Sequence, residues 1–527
     1  MTYGRPGVYV TETLLPAPIA SAGSANAAGA AIGVFSKGPT SLTLVKSWSE
    51  FVSNFGTFDA AYPATFGINQ FFLNGGSELF VQRVLHSDAT KASGALVSGG
   101  TLVGTVAAAN SGADGNNLRF QITSTGRTHY YNISVYREVV AANLGTASTN
   151  GADDVLVESF TNVVFNDATS SDFAPTVVNA SSNTVVLAVS VVGDPTAVTD
   201  TTVIPLTGGS NGTSAVAADF TALLTADGAA PFDIVDRPLV IFAPEVYQTF
   251  VVNAVSDPAT AASTVHNAML AWATAGSGFA VVDTAPGLSV SAAITYITAL
   301  TPASSQGAGY YPNYYITDPV ARSRNALRKV GPASAAAGLY LSTDKQVGPF
   351  KAPAGVSTGV RGAVNLERSF TPADLDSLNT GVYTSGGTTH YGTAVNAIRN
   401  LPGAGIVVMG ARTLLQDGTA NKYVSTRRSL IYIKKQLELI TQFAVFRNND
   451  AKLWGQLRTV ITVFLNEYKN QGGLRGVNPN DAFFVTIDGT NNTAASIENG
   501  IVNISVGVAL EYPAEFVVIN LSQLAGN

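Results

Sequence analysis

The sequence predicts a multidomain protein of mixed α+β and α/β class, and three observations support this. The chain has 527 residues, more than one compact hydrophobic core usually holds. Residues 31–87 and 205–350 alternate short apolar strands with amphipathic helices, which is typical of a mostly parallel sheet covered by helices. Residues 91–204 instead contain short Val/Ile/Thr runs separated by Gly, Asn, Asp and Ser, which indicates antiparallel β structure. We therefore predict a split α/β domain interrupted by an all-β insert.

Changes in local composition and hydrophobic pattern define the predicted domain boundaries. The predicted parts are an N-terminal arm (1–22), a split α/β middle domain (23–90 and 205–350), an inserted β-rich outer domain (91–204), a C-terminal α/β core domain (351–510) and a C-terminal arm (511–527). The Pro/Ala/Gly/Ser stretch 15–30 has little power to form a core and is predicted to be a tether.

The elements of the middle domain follow in order from local signals. Ser47 and Glu50 form a capping-box pattern that predicts a helix start, and Gly75-Gly76 ends the following helix. The predicted strands and helices are a strand at 31–35, helices from 47 and over 64–74, strands at 79–85 and 238–244, a helix over 258–275, a strand at 279–283 and a helix over 289–300.

The C-terminal domain is predicted to contain two long helices. Asp450 is placed to cap the second helix, and Gly472 is placed to end it. The predicted elements are a strand within 405–413, a helix over 426–442, a strand at 443–446, the Asp450–Gly472 helix and a strand at 482–488.

Both chain ends contain a short strand pattern. Residues 7–13, "GVYVTET", place Val8 and Val10 on one face and Tyr9 on the other. Near the other end, Phe516, Val517, Val518 and Ile519 are apolar on both alternating faces. Such a strand with free edges promotes aggregation unless another chain pairs with it.

Composition excludes several classes of protein. Charged residues are only 12% of the chain and the formal net charge is −6, so a direct nucleic-acid partner is not indicated. The chain has no cysteine, which excludes disulfides, thiolate metal sites and a cysteine nucleophile. We expect neither a signal peptide nor a membrane-inserted segment.

The search for catalytic motifs leaves one candidate. "GGSNG" (208–212) matches the Gly-x-Ser-x-Gly pattern of serine hydrolases, with Ser210 as nucleophile. The turn-forming residues that follow favour a Gly-rich inter-domain turn instead. The four histidines are too far apart in sequence to predict a zinc site. We expect no enzymatic activity and no cofactor; a serine hydrolase and a β-rich surface or ligand-binding protein remain the alternatives.

One segment differs electrostatically from the rest. Residues 420–476 contain ten lysines and arginines against three acidic residues. Solvated helix faces would explain this pattern, and so would a basic surface that meets an acidic partner.

The sequence resembles contractile tail sheath proteins of myophages and related injection particles. The resemblance rests on collinear segments: "RPGVYVTE", "IGVFSKGPTSLTLVKSWSEFVSNFG", "FFLNGGSELFVQRV", "LTGGSNG", "YPNYYITDP", "FKAPAG", "IRNLPGAGIVVMGARTL", "KYVSTRRSLIYIKKQL", "AVFRNNDAKLWGQLRTVITVFLNEYKNQGGLRG" and "YPAEFVVINL". Two positions depart from the family pattern: Arg447 stands where an acidic residue is common, and "ALEYP" replaces an "AP".

The resemblance implies a structural subunit that polymerises as stacked hexameric rings around an inner tail tube. Contraction would then drive the tube through the bacterial envelope. The implied partners are further copies of the chain, the tube protein, and baseplate and tail terminator proteins. The implied location is the tail of a virion or injection particle, assembled in the bacterial cytoplasm.

The resemblance also assigns roles to residues. The terminal strands would join neighbouring subunits' sheets, and the C-terminal domain would face the tube. The 15–30 tether and the residues before Pro513 would bend during contraction. The assigned residues are Val8, Tyr9, Val10, Phe516, Val517, Val518 and Ile519 for linkage, Arg427, Arg428, Lys434, Lys435, Lys452 and Arg458 for the tube-facing basic surface, and Gly23, Gly29 and Pro513 for the hinges.

Overall fold

The computed structural model describes residues 26–98, 101–138, 154–193, 203–225, 228–276, 278–323, 325–415 and 418–515. These residues form two compact units, a larger one of residues 27–428 with 512–515 and a smaller one of residues 429–511. Both units mix helices and strands, as the sequence predicts.

The larger unit begins with a strand–helix–strand arrangement. Its elements are β1 (Ala28–Gly33), β2 (Thr43–Val45), α1 (Trp48–Phe55), α2 (Ala64–Leu73) and β3 (Leu79–Arg83). The predicted helix start is confirmed: Ser47 Oγ accepts the N–H of Glu50 at 3.1 Å, and Glu50 Oε2 accepts the N–H of Lys46 at 2.8 Å.

The next region consists mainly of antiparallel strands. Its elements are β4 (Ser93–Ser98), β5 (Thr101–Ala108), β6 (Leu118–Ser124), β7 (Tyr131–Arg137), β8 (Val155–Val163), α3 (Ala174–Ser181), β9 (Val185–Val189) and β10 (Val203–Pro205). The strands form two sheets, in the orders β4-β5-β9 and β10-β6-β7-β8. Side chains from both sheets, including Val106, Phe120, Val135 and Leu187, share one hydrophobic core.

A buried arginine joins this β region to the parallel sheet. Arg83, at the end of β3, is only 2% exposed. Its guanidinium donates to the carbonyl oxygens of Phe35, Gly38 and Ser111 at 3.1, 2.9 and 2.9 Å. It also reaches Asn211 Oδ1 at 3.3 Å, so one side chain contacts a loop inside the β region (Ser111) and the loop that follows it (Asn211).

The chain then returns to alternating helices and strands. The elements are α4 (Ala217–Thr221), β11 (Leu239–Phe242), α5 (Val246–Val252), α6 (Pro258–Ala275), β12 (Phe279–Asp283), α7 (Val290–Thr298), β13 (Gly307–Tyr311), β14 (Tyr314–Thr317), β15 (Leu327–Val330) and α8 (Ala333–Gln346). They are followed by β16 (Asn365–Leu366), α9 (Pro372–Thr380), β17 (Val382–Ser385), β18 (Thr388–Tyr391), β19 (Asn396–Leu401) and β20 (Gly405–Val408).

An eight-stranded sheet organises the larger unit, in the order β2-β3-β1-β11-β12-β13-β19-β20. The six central strands are parallel to their neighbours, and β2 and β20 are antiparallel at the edges. The sheet extends beyond the predicted boundary at residue 350, because β19 pairs with β13. β20 then pairs with β19, so it also joins this sheet. The local sequence of a short apolar strand such as β20 does not specify which sheet it will join.

Gly29 is a correction to the predicted hinges. It lies inside β1, paired with Leu79 on one side and Val240 on the other. A Cβ at this position would meet the Phe71 ring at 2.6 Å, so the glycine permits close packing and does not provide a hinge. The predicted tether therefore ends before Ala28, where the Ala/Gly-rich sequence forms a buried strand.

The smaller unit is built on a helical hairpin. Helix α10 (Val424–Thr441) enters it from the larger unit and is followed by α11 (Ala451–Asn470), α12 (Pro479–Ala482), β21 (Phe483–Thr486), α13 (Ala494–Glu498) and β22 (Ser505–Val508). The predicted cap of α11 is confirmed, since Asp450 Oδ1 accepts the N–H of Leu453 at 2.8 Å. The predicted strand at 443–446 is wrong: a 3₁₀ turn (Gln442–Ala444) connects the helices there.

Candidate assembly surfaces

The C-terminal segment is held to the larger unit just before the predicted linking strand. Glu515 accepts hydrogen bonds from Arg412, with Nε–Oε1 and Nη2–Oε2 distances of 3.0 and 2.6 Å. The pair is mostly buried, and the hydrogen bond with Glu515 raises the pKa of Arg412. Beyond Glu515, the predicted linking residues Phe516–Ile519 lie outside the described part of the chain, as do Val8–Val10 and Gly23.

The predicted hinge at Pro513 lies near the division between the two units. That division falls between Glu511 and Tyr512. Pro513 therefore stands two residues after the end of the smaller unit and two residues before the ion-paired Glu515. The hinge role of Pro513 remains a prediction.

A two-stranded sheet in the smaller unit has room for further strands. β21 and β22 are antiparallel, with Phe483 opposite Val508 and Thr486 opposite Ser505. Within the described residues no third strand joins them. Phe484 is 61% exposed on β21. The outer edges of the pair have no neighbouring strand among the described residues, so this sheet is a candidate acceptor for strands from other chains.

Two residues of the predicted basic surface are buried, which corrects that prediction. Arg428 forms an ion pair with Asp344, and its guanidinium lies 4.7 Å from the centre of the Tyr340 ring. Lys435 is 7% exposed and donates to Glu438 Oε1 at 3.0 Å. The helical spacing in the sequence could have predicted this burial. Arg428 and Lys435 lie seven residues apart, on the same helix face as the buried Val424 and Ile431.

The other four basic residues divide into two kinds. Arg427 is half-buried and donates to Gln306 Oε1 at 2.6 Å, so its side chain also forms a contact within the larger unit. Lys434, Lys452 and Arg458 are exposed, and Arg458 donates to the carbonyl oxygen of Ile487 at 2.6 Å. A basic surface on the hairpin can therefore be built from these three residues.

The turn between α10 and α11 carries an apolar tip that the sequence analysis missed. Phe446 is fully exposed and has a φ of 63°, a backbone conformation that bulky residues seldom adopt. Val445 beside it is 65% exposed, and the Arg447 guanidinium lies 5.4 Å from the Phe443 ring centre. The apolar "FAVF" pattern that predicted a strand instead places aromatic side chains at an exposed corner.

The geometry at Ser210 does not fit a nucleophile elbow. Its Oγ accepts the N–H of Gly212 at 3.1 Å, and its backbone forms a β-bridge with Thr90. The next helix, α4, begins only at Ala217. Within the described residues, no cluster of three or more His, Asp or Glu side chains is arranged to hold a metal, and no helix is long and apolar enough to cross a bilayer.

The C-terminal part of the chain is similar to a known protein family. A family model described as the phage tail sheath C-terminal domain matches residues 416–523. Residues 416–523 are thus similar to a phage tail sheath domain. The tail sheath protein of Vibrio phage KVP40 is 25% identical over 185 residues, which cover 35% of this chain and 25% of that relative. The match therefore spans only a quarter of the relative's length. The resemblance to contractile tail sheath proteins is confirmed.

Solved structures match nearly the whole chain in fold. The contracted helical sheath of the anti-feeding prophage has a TM-score of 0.57 at 18% identity, covering 99% of this chain and 100% of that one. The contracted sheath complex of the extracellular contractile injection system PVC has a TM-score of 0.52 at 19% identity, covering 99% and 98%. A sheath tail protein from Listeria innocua has a TM-score of 0.56 at 14% identity, covering 89% and 90%. At these identities the matches establish the fold.

Proposed function

We propose that the protein is the structural subunit of a contractile tail sheath. It polymerises as stacked hexameric rings around an inner tail tube, and contraction drives the tube through the bacterial envelope. The observation that carries the proposal is the match of residues 416–523 to the tail sheath C-terminal domain. The fold match to contracted sheaths over nearly the whole chain supports the same function.

The proposed linkage between subunits uses strand addition. Terminal strands around Tyr9 and Val518 leave one copy and pair with the sheet of another, and β21–β22 with its exposed Phe484 is the acceptor that fits them. Burying four apolar side chains of the C-terminal strand would contribute roughly 1.5–3 kcal/mol each before ordering entropy is subtracted. Two strands per subunit make the lattice multivalent.

The proposed tube contact uses the exposed cations of the α10–α11 hairpin. Individual exposed ion pairs are worth only about 0–1 kcal/mol, so such contacts can break during contraction while strand pairing persists. Subunits would rotate outward as nearly rigid bodies while residues near Pro513 bend. The further partners are the baseplate and the tail terminator, and the location is the tail of a phage or an injection particle assembled in the bacterial cytoplasm.

The test is polymer formation by the purified full chain. We expect hollow tubes with helical order in negative-stain micrographs. Chains that lack residues 516–527, or residues 1–12, should give unpolymerised subunits with an unchanged far-UV circular dichroism spectrum. Ordered tubes from either truncated chain would refute the linkage. Full-length protein that stays monomeric under all assembly conditions would refute the sheath function.

A further inference from the structure

A buried polar cavity lies at the carboxyl ends of three adjacent parallel strands. Glu245 follows β11, Asp283 ends β12 and Asn313 follows β13; their exposures are 6%, 6% and 3%. All three residues, together with Thr284, line one cavity of about 10 Å³, the space of a single water-sized sphere. In open α/β sheets this edge is where ligands bind.

Oxygen atoms from all three strand ends converge on Gly331, just before α8. Glu245 Oε1 accepts the N–H of Gly331 at 2.8 Å, and Asp283 Oδ2 accepts the N–H of Ala333 at 3.4 Å. A Cβ on Gly331 would overlap Asp283 Oδ2 and lie 3.6 Å from Asn313 Oδ1. The absence of a side chain at Gly331 therefore leaves room beside these oxygens.

The two carboxylates lack a cationic partner among the described residues. The nearest base to Asp283 is His266, whose Nε2 lies 3.8 Å from Oδ1, beyond hydrogen-bond distance. Lys329 also lines the cavity, but its Nζ lies 2.6 Å from Glu367. A bound cation would supply a partner for both carboxylates.

One further observation, at Thr284, points to a ligand in the cavity. Thr284 is 3% exposed, and its Oγ1 has no hydrogen-bond partner within the described part of the chain. A buried hydroxyl is normally paired, so this oxygen is available to the cavity that the residue lines.

We propose that this cavity binds one hard divalent cation of the Ca²⁺ and Mg²⁺ class. Carboxylate oxygens of Glu245 and Asp283, the amide oxygen of Asn313 and the hydroxyl of Thr284 form an all-oxygen ligand set, which these ions prefer. Two carboxylates match the charge of one divalent ion. The ion links the loops after β11, β12 and β13 and stabilises the larger unit. This inference does not depend on the sheath function.

The experiment uses the full chain after treatment with EDTA and dialysis. Calorimetric titration with CaCl₂ or MgCl₂ at pH 8 should show saturable binding at one site per chain, and the unfolding temperature should rise with ion concentration. Thr284→Val should weaken binding by about tenfold or more, while Thr284→Ser should restore it. Asp376→Asn, an exposed carboxylate outside the cavity, is the control and should bind as the unmodified chain does.

Three results would overturn the proposal. These are no saturable binding of either ion, an equal rise of the unfolding temperature in NaCl at matched ionic strength, and unchanged affinity in Thr284→Val. If Thr284→Val does not fold, Glu245→Gln takes its place, with the same loss of affinity expected and unchanged affinity as the contradicting result.

Discussion

Arg428 and Asp344 form a bidentate salt bridge in the interior of the larger unit. One of its hydrogen bonds, Nη1–Oδ1, measures 2.9 Å, and the guanidinium lies beside the Tyr340 ring. The arginine side chain is only 4% exposed. Arg428 therefore holds the start of α10 to α8, and its positive charge is already compensated within the chain.

Arg428→Ala should destabilise the larger unit strongly. Removing one partner leaves Asp344 buried without its cation, which typically costs about 3–5 kcal/mol. Urea unfolding followed by far-UV circular dichroism measures the change in the free energy of unfolding. Lys434→Ala on the exposed face of the same helix is the control, and its effect should stay within about 0.5 kcal/mol. Equal stability of both variants would contradict the structural role of Arg428.

Reversing the exposed charges of the hairpin should weaken assembly on the tube. A chain with Lys434→Glu, Lys452→Glu and Arg458→Glu should form fewer extended sheaths on purified tubes, because repulsion would replace attraction to an acidic tube surface. Electron micrographs of tubes mixed with the sheath protein give the measurement. Lys46→Glu, an exposed lysine of the larger unit, is the control. Normal coating of tubes by the triple variant would exclude the hairpin cations from tube binding.

Glu515→Gln tests whether the position of the C-terminal strand matters for assembly. The substitution removes the charge that pairs with Arg412, and hydrogen bonds to charged groups contribute about 1.5–3 kcal/mol. The segment after residue 511 should become less ordered, and the fraction of polymer in a sedimentation assay should fall. Glu498→Gln, an exposed glutamate in α13, is the control. Unchanged sedimentation would show that this ion pair has no role in linkage.

Local signals predicted much of the fold, while long-range relationships required the structure. The Asp450 cap and the 258–275 helix follow from neighbouring residues, so the sequence was sufficient there. The position of β19 in the large sheet depends on contacts distant in the chain, and no local pattern encodes them. At the candidate surfaces, charge alone was misleading for Arg428 and Lys435, because the helical stripe buries them.

Phe484→Ser should reduce polymerisation without unfolding the subunit. The side chain is 61% exposed on β21, so its removal should change the free energy of unfolding by at most about 1 kcal/mol. If β21–β22 accepts a strand from a neighbour, removing this aromatic ring should weaken the pairing and lower the yield of tubes. The matched control is Tyr391→Ser, which removes an 82% exposed aromatic ring from another two-stranded hairpin. Equal tube yields from both variants would rule out β21–β22 as the acceptor.

Two glycine-to-alanine substitutions should change stability in opposite directions. At Gly29, the new Cβ would lie 2.6 Å from Phe71 Cζ and 2.9 Å from Leu79 Cδ1, and overpacking a core typically costs about 1–3 kcal/mol. At Gly455 on α11 nothing lies within 4 Å of the new Cβ, and replacing a helical glycine with alanine typically gains about 0.5–1 kcal/mol. Denaturant unfolding of both variants measures the two changes. A Gly29→Ala chain of unchanged stability but reduced assembly would instead support the hinge interpretation. A methyl group at a hinge would leave the folded subunit stable and would hinder only the movement of subunits.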